Sequence, residues 1–253
     1  MAGIDTRELV KKLRVHGVMP GILAAAEKPL NLRTLRLQAK SLGRVPAARD
    51  LVSEVTTAEI RIYNPGARRR IALIDCGVKL GIVRALVERG ASVIRFPAAT
   101  HAREILSFSP DGVVVANGPG DPKRAAAVIA TVKSLIETTR WPMLGICLGH
   151  QIIALAAGGD TYKMKYGHRS QNQPCLEAGG KRCYITSQNH GYAVRTGSLP
   201  SVWKEWFINA NDGTNEGLRH ARRPIFAVQF HPEGRPGPLD TDFIFDLFLE
   251  AGR

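Results

Sequence analysis

The stretch PMLGICLGHQ, residues 142–151, decides the fold prediction. A short apolar run leads into Cys147, which lies between Gly145 and Gly149, and an apolar, alanine-rich segment follows over residues 152–157. This pattern predicts a buried strand, a sharp turn and a helix, with the cysteine at the tip of the turn. The two glycines fit such an elbow because it brings backbone segments so close together that a Cβ would collide.

The chemistry of Cys147 has two interpretations at this point. A thiol at a helix N-terminus is exposed to unpaired N–H groups and to the positive end of the helix dipole, and both favour the reactive thiolate. A buried core cysteine, the commonest state of a free cysteine, fits the elbow equally well. The rest of the chain has to decide between a nucleophile and a packing residue.

Alternating strand and helix patterns surround the elbow. Apolar strands are predicted at residues 71–75, 92–96, 112–116 and 143–146. Helices are predicted over residues 79–88, 102–108 and 122–138. Continuous apolar strands separated by helices predict an α/β fold, with a mostly parallel sheet flanked by helices.

In the C-terminal part of the chain, the predicted elements are shorter and most of them are strands. Strands are predicted at residues 161–165, 183–186, 192–194 and 225–230, and a closing helix over residues 243–249. Short strands in succession, without helices between them, predict an antiparallel β section added to the parallel sheet.

The first 60 residues predict part of a domain rather than a whole one. Asp5 and Glu8 have the spacing of a capping box, so a first helix is expected to begin there and to end near Gly17. A turn at Pro20-Gly21, a short strand at 22–24 and a second helix over 32–42 complete this segment. So few elements make a poor independent core.

The domain prediction follows from this change in pattern. Residues 1–60 are expected to form a truncated N-terminal domain. Residues 61–70 contain turn residues and an arginine cluster, and are expected to form a linker. Residues 71–253 are expected to form the main α/β domain.

Charge and composition limit the function classes. The net charge is +13, of which residues 1–70 carry +8 and residues 71–253 carry +5. The only dense basic cluster, Arg68 to Arg70, directly precedes a predicted strand. No basic helix is interleaved with aromatic residues and no zinc-finger spacing occurs, so a solvated basic surface or an acidic protein partner is favoured over specific nucleic-acid binding.

The same composition argues for a cytoplasmic protein. No apolar run approaches the length of a membrane span, and the N-terminus lacks the apolar core of a signal peptide. Four cysteines in 253 residues do not form a disulfide framework, which favours a reducing compartment.

A histidine and a glutamate at another predicted strand end give Cys147 its partners. The sequence His231-Pro232-Glu233 follows the strand at 225–230. Functional groups in parallel sheets gather at the carboxyl ends of strands, where Cys147 also lies. In an extended chain Glu233 points the same way as His231, and a carboxylate beside an imidazole fixes its tautomer. The pattern therefore predicts a Cys147–His231–Glu233 catalytic triad.

A further strand-end loop, NGPGDP at residues 117–122, contains two closely spaced glycines. It is either a plain strand-to-helix turn or a set of backbone N–H groups that, with that of Leu148, faces a developing oxyanion. Gly118 and Gly120 would permit the close approach that the second interpretation needs. The loop has neither a dinucleotide fingerprint nor a Walker sequence.

Three motifs, GICLGHQ, NGPGDP and HPE, together resemble the class I (triad) glutamine amidotransferases. Flanking segments are similar to the small, glutamine-hydrolysing subunits of carbamoyl-phosphate synthetases. These segments are AGIDTR at residues 2–7, KMKYGH at 163–168, SQNHGYAV at 187–194 and PGPLD at 236–240. The resemblance covers nearly the whole chain.

The resemblance implies a reaction. Cys147 would attack the carboxamide of L-glutamine, His231 would move the proton to the leaving ammonia, and water would hydrolyse the glutamyl thioester. Ammonia would pass to a large subunit that makes carbamoyl phosphate, so ATP and Mg are expected on that partner and no cofactor in this chain. The family's glutamine contacts map to Gly118, Gly120, Leu148, Gln151, Asn189, Gly191 and Tyr192.

Two departures from the family keep alternatives open. Small subunits normally have further residues before AGIDTR, including a serine that contacts glutamine, whereas Met1 directly precedes that motif here. We therefore expect a truncated product or one half of a split small chain. The alternatives of a non-catalytic scaffold, or of an amidotransferase chain for another acceptor, stay open. Ser170-Gln171 also replaces the family's usual glycine-rich pair, which affects the local loop.

No metal site is expected from the sequence. Cys175 and Cys183, with His168 or His190 nearby, match no common zinc-ligand spacing. The sequence leaves open whether the carbamoyl phosphate would serve arginine or pyrimidine synthesis.

Overall fold

The structure, a computed structural model, describes residues 4–19, 21–25, 29–42 and 49–252. The chain divides into two compact units, Met1–Arg49 with Met164–Tyr166 and Asp50–Lys163 with Gly167–Arg253. Two predicted features include residues outside the described ranges. They are the start of the AGIDTR motif and the turn at Pro20-Gly21.

The first unit contains two helices, α1 (Thr6–His16) and α2 (Leu32–Leu42). The side chain of Asp5 caps α1 by accepting a hydrogen bond of 2.8 Å from the N–H of Glu8, and Gly17 ends the helix with φ 78°. Both helices lie where the sequence predicts them, and no described residue of either helix is buried. The predicted strand at residues 22–24 is wrong, because Leu23 is 83% exposed and the segment has no buried face to stabilise a strand.

The second unit is built on one mixed sheet, whose strand order is β1-β3-β2-β4-β5-β10-β9-β8-β6-β7. The ten strands found among the described residues are β1 (Arg61–Tyr63), β2 (Arg69–Asp75), β3 (Ala91–Pro97), β4 (Gly112–Val115), β5 (Met143–Ile146), β6 (Asp160–Glu177), β7 (Cys183–Arg195), β8 (Trp203–Asn209), β9 (Asn215–His220) and β10 (Ile225–Val228). The five strands β3, β2, β4, β5 and β10 run parallel, and the remaining pairs are antiparallel. The α/β prediction with an added antiparallel section is confirmed.

Helices cover both faces of the parallel strands. They are α3 (Leu51–Val55), α4 (Leu80–Glu88), α5 (Ala102–Ser107), α6 (Ala126–Thr138), α7 (Leu148–Ala156) and α8 (Phe243–Glu250). Alternate side chains of β2 enter two apolar cores: Ala72 and Ile74 join the core of α5, α6 and α7, while Ile71 and Leu73 join that of α4 and α8. This alternation is what a strand buried on both faces requires. None of the helices in the described ranges is long and apolar enough to cross a membrane.

Several element boundaries differ from the sequence prediction. The predicted strands at 161–165, 183–186 and 192–194 belong to only two long strands, β6 and β7, and β10 ends at Val228 rather than at residue 230. The predicted helix over 122–138 begins as a 3-10 turn, Pro122–Arg124, followed by α6. Strands β8 and β9 are absent from the prediction because charged and polar residues interrupt their apolar pattern.

Both ends of the predicted linker at residues 61–70 belong to strands of the sheet. β1 pairs antiparallel with β3, with Arg61 opposite Arg95, and β2 begins at Arg69. The two compact units divide between Arg49 and Asp50, so the described structure assigns no separate linker to residues 61–70. The wider division into domains at residues 60 and 70 stays a prediction.

The turn from β5 into α7 brings three backbone segments together. An ideal Cβ on Gly145 would lie 2.7 Å from the carbonyl oxygen of Gly149, and one on Gly149 would lie 2.0 Å from that of Val115. Cys147, between them, has φ 54° and ψ −101°, a conformation that costs a non-glycine residue about 1–3 kcal/mol. The backbone contacts on both sides hold the cysteine in this strained conformation.

Replacing Gly149 with alanine tests this packing. Alanine favours a helix by about 1 kcal/mol over glycine, but a contact of 2.0 Å with a backbone oxygen forces β4 and α7 apart. We expect Gly149→Ala to lower the free energy of unfolding by more than about 2 kcal/mol, measured by urea denaturation. The control is Gly197→Ala, whose Cβ meets no atom within 4 Å. Equal stability of the two variants would contradict the proposed packing.

Candidate active site

The site forms where several parallel strands end. Cys147 follows β5 and is only 5% exposed. Its N–H donates a hydrogen bond of 2.8 Å to the carbonyl oxygen of Val228, the last residue of β10. Three residues later, the N–H of His231 donates to the carbonyl oxygen of Ser187 at 2.9 Å. Backbone hydrogen bonds therefore position the cysteine and fix the course of the segment that carries the histidine.

The structure brings His231 and Glu233 into direct contact. His231 Nδ1 lies 2.7 Å from Glu233 Oε1, and both side chains are buried. Residues 229–234 form no strand, so the sequence argument from an extended chain is wrong here. A turn closed by the Gly234 N–H and the His231 carbonyl oxygen, 3.2 Å apart, brings the two side chains together instead. With Nδ1 donating to the glutamate, Nε2 is the nitrogen that can serve the thiol.

Charges around His231 favour its protonated form. Burial opposes the imidazolium, but the charge and hydrogen bond of Cys147, together with those of Glu233, outweigh it and raise the pKa of His231 to about 10. Burial also acts against an ionised Glu233, yet His231 and Lys79 outweigh it and lower the pKa of that carboxyl. The arrangement therefore suits a thiolate–imidazolium pair supported by a carboxylate.

Lys79 is a site residue that the sequence analysis missed. Its Nζ lies 2.7 Å from Glu233 Oε1, the same oxygen that accepts from His231. Lys79 directly precedes α4 in the loop after β2, so it lies at the same strand-end edge as Cys147. That position was the one signal that could have identified it, because nothing in its local sequence marks it as functional.

A buried carboxylate holds the loop that carries Lys79. Asp75 Oδ1 accepts hydrogen bonds from the N–H groups of Gly77 and Val78, at 2.9 and 2.7 Å. Its Oδ2 accepts from the Arg95 guanidinium at 2.9 and 2.6 Å, and from the N–H of Thr57 at 2.7 Å. Five donors for one buried carboxylate fix the path of the chain from β2 into the site.

Asn117 links this loop to the end of β4. Its Oδ1 accepts from the N–H of Lys79 at 2.9 Å, and its Nδ2 donates to the carbonyl oxygen of Gly77 at 3.3 Å. The side chain of Asn117 thus holds the site together, while the following glycines supply the loop that the sequence analysis singled out.

The loop at residues 117–120 packs against the start of α7. A Cβ on Gly118 would lie 2.1 Å from the carbonyl oxygen of Cys76 and 2.8 Å from Leu148 Cδ2. Gly118 is therefore beside the residue that follows the nucleophile, as the oxyanion interpretation requires. Gly120 is exposed, and a Cβ there would face Leu51 of α3.

The remaining predicted glutamine contacts lie on α7 and β7. Gln151 Nε2 donates to the carbonyl oxygen of Tyr192 and to Gln229 Oε1, both at 2.8 Å. Its nitrogen is thereby committed within the protein, so Oε1 is what it can offer a ligand, and an acceptor suits an ammonium group. Asn189 is exposed, and Gly191 is half-buried, as is Tyr192.

His150, next to the elbow, serves packing. It is fully buried, and its ring nitrogens lie 3.2 Å from Gln229 Oε1 and 3.1 Å from Asn215 Oδ1. Burial lowers its pKa to about 4, although both amides oppose the shift. The ring is therefore neutral, donates its single N–H to one of these two oxygens, and lies between α7 and β9.

Within the part of the chain that the structure describes, one group of side chains could hold a metal ion. His168, His190 and Glu216 are buried, and their ligand atoms lie within 4.8 Å of one another. Of the cysteines that the sequence analysis considered for zinc, Cys175 is buried and Cys183 is exposed, and neither belongs to this group.

Comparison with known proteins decides the family. Residues 72–251 match the family described as "Glutamine amidotransferase class-I". The chain belongs to the class I glutamine amidotransferases. Its triad geometry, with a cysteine at an elbow and a histidine–glutamate pair at the next strand end, agrees with the membership that the motifs predict.

Two relatives indicate which kind of amidotransferase the chain resembles. A carbamoyl phosphate synthase small chain of Methanocaldococcus jannaschii is 50% identical over 252 residues, which cover 98% of this chain and 70% of that protein. An arginine-specific small chain of Chaetomium globosum is 44% identical over 99% of this chain and 53% of that protein. The resemblance to small chains is thereby confirmed, and the chain belongs to that family.

A solved structure supports the fold. A putative GMP synthase protein from Thermoplasma acidophilum superposes with a TM-score of 0.64 at 26% identity, covering 73% of this chain and 94% of that chain. The amidotransferase sheet is thus shared with a protein whose name indicates a different acceptor.

The protonation state of His231 can be tested directly. Its folded-state pKa of about 10 exceeds the ordinary 6.5, so the associated stabilisation is present below about 6.5 and disappears as the pH rises through about 10. Removing the sulfur in Cys147→Ala takes away one source of negative charge. We expect the pKa of His231 to fall, measured by NMR titration of the imidazole.

The control for this titration is Cys183→Ser, which alters an exposed cysteine. It should leave the titration of His231 unchanged. An unaltered His231 midpoint in Cys147→Ala would show that the cysteine does not stabilise the imidazolium.

Proposed function

We propose that this chain is the glutamine-hydrolysing subunit of a carbamoyl-phosphate synthase. The observation that carries the proposal is the buried Cys147–His231–Glu233 arrangement, with Glu233 2.7 Å from both His231 and Lys79. The support for the acceptor reaction comes from the relatives, which are named carbamoyl phosphate synthase small chains.

The triad accounts for each proton in the hydrolysis. His231 holds the proton of the Cys147 thiol, and the thiolate attacks the carboxamide carbon of L-glutamine. The proton then passes from His231 to the leaving nitrogen, the C–N bond breaks, and ammonia and a glutamyl thioester result. His231 next takes a proton from water, whose oxygen attacks the thioester and releases glutamate and the thiol.

Backbone N–H groups stabilise the charge that develops in both steps. The N–H groups of Gly118 and Leu148 face the carboxamide oxygen as it becomes an oxyanion. The start of α7 favours negative charge at the same point, because its first N–H groups have no partner within the helix. Lys79 is a positioning residue, since it acts through Glu233.

The glutamine itself is held by residues from two sides of the site. The proposed contacts are Gly118, Gly120, Leu148, Gln151, Asn189, Gly191 and Tyr192. Gln151 offers an oxygen that suits the substrate's ammonium group, and backbone N–H groups suit its carboxylate.

The partner is a large subunit that binds ATP and Mg and converts the ammonia into carbamoyl phosphate, so the assembly is a heterodimer in the cytoplasm. Hydrolysis of glutamine by this triad requires no cofactor in this chain. The name of the Chaetomium globosum relative refers to arginine, and the product of this assembly would serve arginine or pyrimidine synthesis.

Glutamine hydrolysis by the triad variants tests the proposal. We expect Cys147→Ser to lower kcat at least about 1,000-fold, because the hydroxyl is a far weaker nucleophile in the same position. Glutamate release should be measured for the chain alone and with a carbamoyl-phosphate synthase large subunit. Cys183→Ser is the matched control and should retain full activity, since that cysteine is exposed.

Assays of glutamate release with different partner subunits distinguish the remaining candidate functions. Activity that depends on Cys147 and increases with the large subunit would support the proposal. No glutamate release by the folded wild-type chain in either state would favour a scaffold. Stimulation by a GMP synthase partner alone would assign another acceptor.

A further inference from the structure

Three buried side chains outside the triad point their ligand atoms at one another. His168 on β6, His190 on β7 and Glu216 on β9 all have low exposure. His168 Nδ1 lies 3.2 Å from His190 Nε2 and 3.0 Å from Glu216 Oε1. The two imidazole rings are nearly perpendicular, at 88°. Glutamine hydrolysis as proposed uses none of these groups.

Each ring also makes a hydrogen bond on the outer side of the cluster. His168 Nε2 lies 2.9 Å from Asp212 Oδ2, and His190 Nδ1 lies 2.8 Å from the carbonyl oxygen of Tyr192. Both oxygens are acceptors, so the outer nitrogens carry the protons. When both rings are neutral, the inner nitrogens present lone pairs to the same point. A histidine that binds a metal typically donates its other N–H to a carboxylate or a carbonyl in this way.

We propose that His168 Nδ1, His190 Nε2 and the Glu216 carboxylate bind a divalent metal ion of the zinc class. Zinc bonds of about 2.0–2.2 Å place tetrahedral ligand atoms about 3.3 Å apart. Two of the three separations, 3.0 and 3.2 Å, are close to that value, and all three ligand atoms lie within 4.8 Å of one another. Gln188 Oε1, 2.9 Å from His190 Nε2, is placed to supply a fourth ligand.

Charge balance favours a cation at this point. Glu216 Oε2 is buried without a hydrogen-bond partner among the described residues. With both histidines neutral, the buried carboxylate of Glu216 carries a negative charge that a divalent ion would offset, whereas Asp212, beyond His168, is partly exposed. The alternative is a proton, with His168 as an imidazolium between the two carboxylates. That arrangement provides no partner for Glu216 Oε2.

The surrounding backbone is shaped for this cluster. Gly167 has φ 73°, and a Cβ there would lie 2.2 Å from the carbonyl oxygen of His190. The pairing of β6 with β7 shifts register between Lys163 and His168, the first proposed ligand. Asn209 Nδ2 donates to Glu216 Oε1 at 3.2 Å and orients the carboxylate.

The ion would be structural and would stabilise the substrate side of the site. His190 lies between Asn189 and Gly191, two of the proposed glutamine contacts. Its outer nitrogen bonds to the carbonyl oxygen of Tyr192, which also accepts from Gln151. This role rests on the proposed function, whereas binding of the metal does not.

Metal binding by the intact chain is the first test. The wild-type protein is treated with a chelator, desalted, and titrated with Zn²⁺ or Co²⁺ in the absence of glutamine. We expect about one tightly bound ion per chain by mass spectrometry, visible absorption typical of tetrahedral Co²⁺, and an increased Tm with Zn²⁺. A wild-type chain that binds neither ion and shows no change in Tm overturns the proposal and leaves the imidazolium arrangement.

Matched variants assign the bound ion to this cluster. Glu216→Gln keeps the side-chain volume and should weaken Zn²⁺ binding at least about 10-fold. Glu104→Gln, which alters an exposed glutamate on α5, and Cys183→Ser, which removes an exposed thiol, should bind as the wild type does. Unchanged Zn²⁺ affinity in a folded Glu216→Gln overturns the proposal.

Two further outcomes complete the test. If Glu216→Gln does not fold, the cobalt absorption of the wild type decides, because ligation by the three proposed groups gives a nitrogen–oxygen spectrum without thiolate bands. A thiolate spectrum would overturn the proposal. If the chain binds the metal but does not hydrolyse glutamine, the proposed function is rejected and the metal site stands. If removal of the metal increases the KM for glutamine and leaves kcat unchanged, the structural role of the ion is supported.

Discussion

The contact between Gly149 and the carbonyl oxygen of Val115 is the constraint on which the active site depends. It places the first turn of α7 directly on the end of β4, so the nucleophile and the glycine loop at residues 117–120 reach the same edge of the sheet. The strained backbone of Cys147 persists because neither neighbouring segment has room to move. Packing of backbone against backbone thus creates the reactive position before any charge is considered.

Charge is then distributed so that Asp75, His231 and Glu233 each have an oppositely charged partner. Asp75 receives hydrogen bonds from three backbone N–H groups and from Arg95, and it fixes the loop that carries Lys79. Lys79 reaches Glu233, and Glu233 holds His231. A buried carboxylate without such support would protonate and stop orienting its histidine. The two strand ends are therefore coupled electrostatically as well as by packing.

The sequence predicts the parallel half of the fold because its signals are local. The signals are the glycines on either side of Cys147, the apolar strands and the HPE motif after a strand, and each indicates one element without reference to distant residues. The spacing argument for His231 and Glu233 failed, because a turn and not an extended chain brings them together. The antiparallel half is different: β9 buries Glu216 and Asn215, polar residues whose partners are remote in sequence. Lys79 and the His168–Glu216 contact were missed for the same reason, since only tertiary structure brings such groups together.

β10 joins the two halves, and this limits how the length of the chain can vary. It is parallel to β5 on one side and antiparallel to β9 on the other, with Val228 opposite both Ile146 and Gly217. Adding or removing one residue here would reverse the faces of the strand and displace the histidine three positions beyond it. A change of length is therefore compatible with the fold only in the connecting loops, whereas the interval from β10 to His231 has to keep its length.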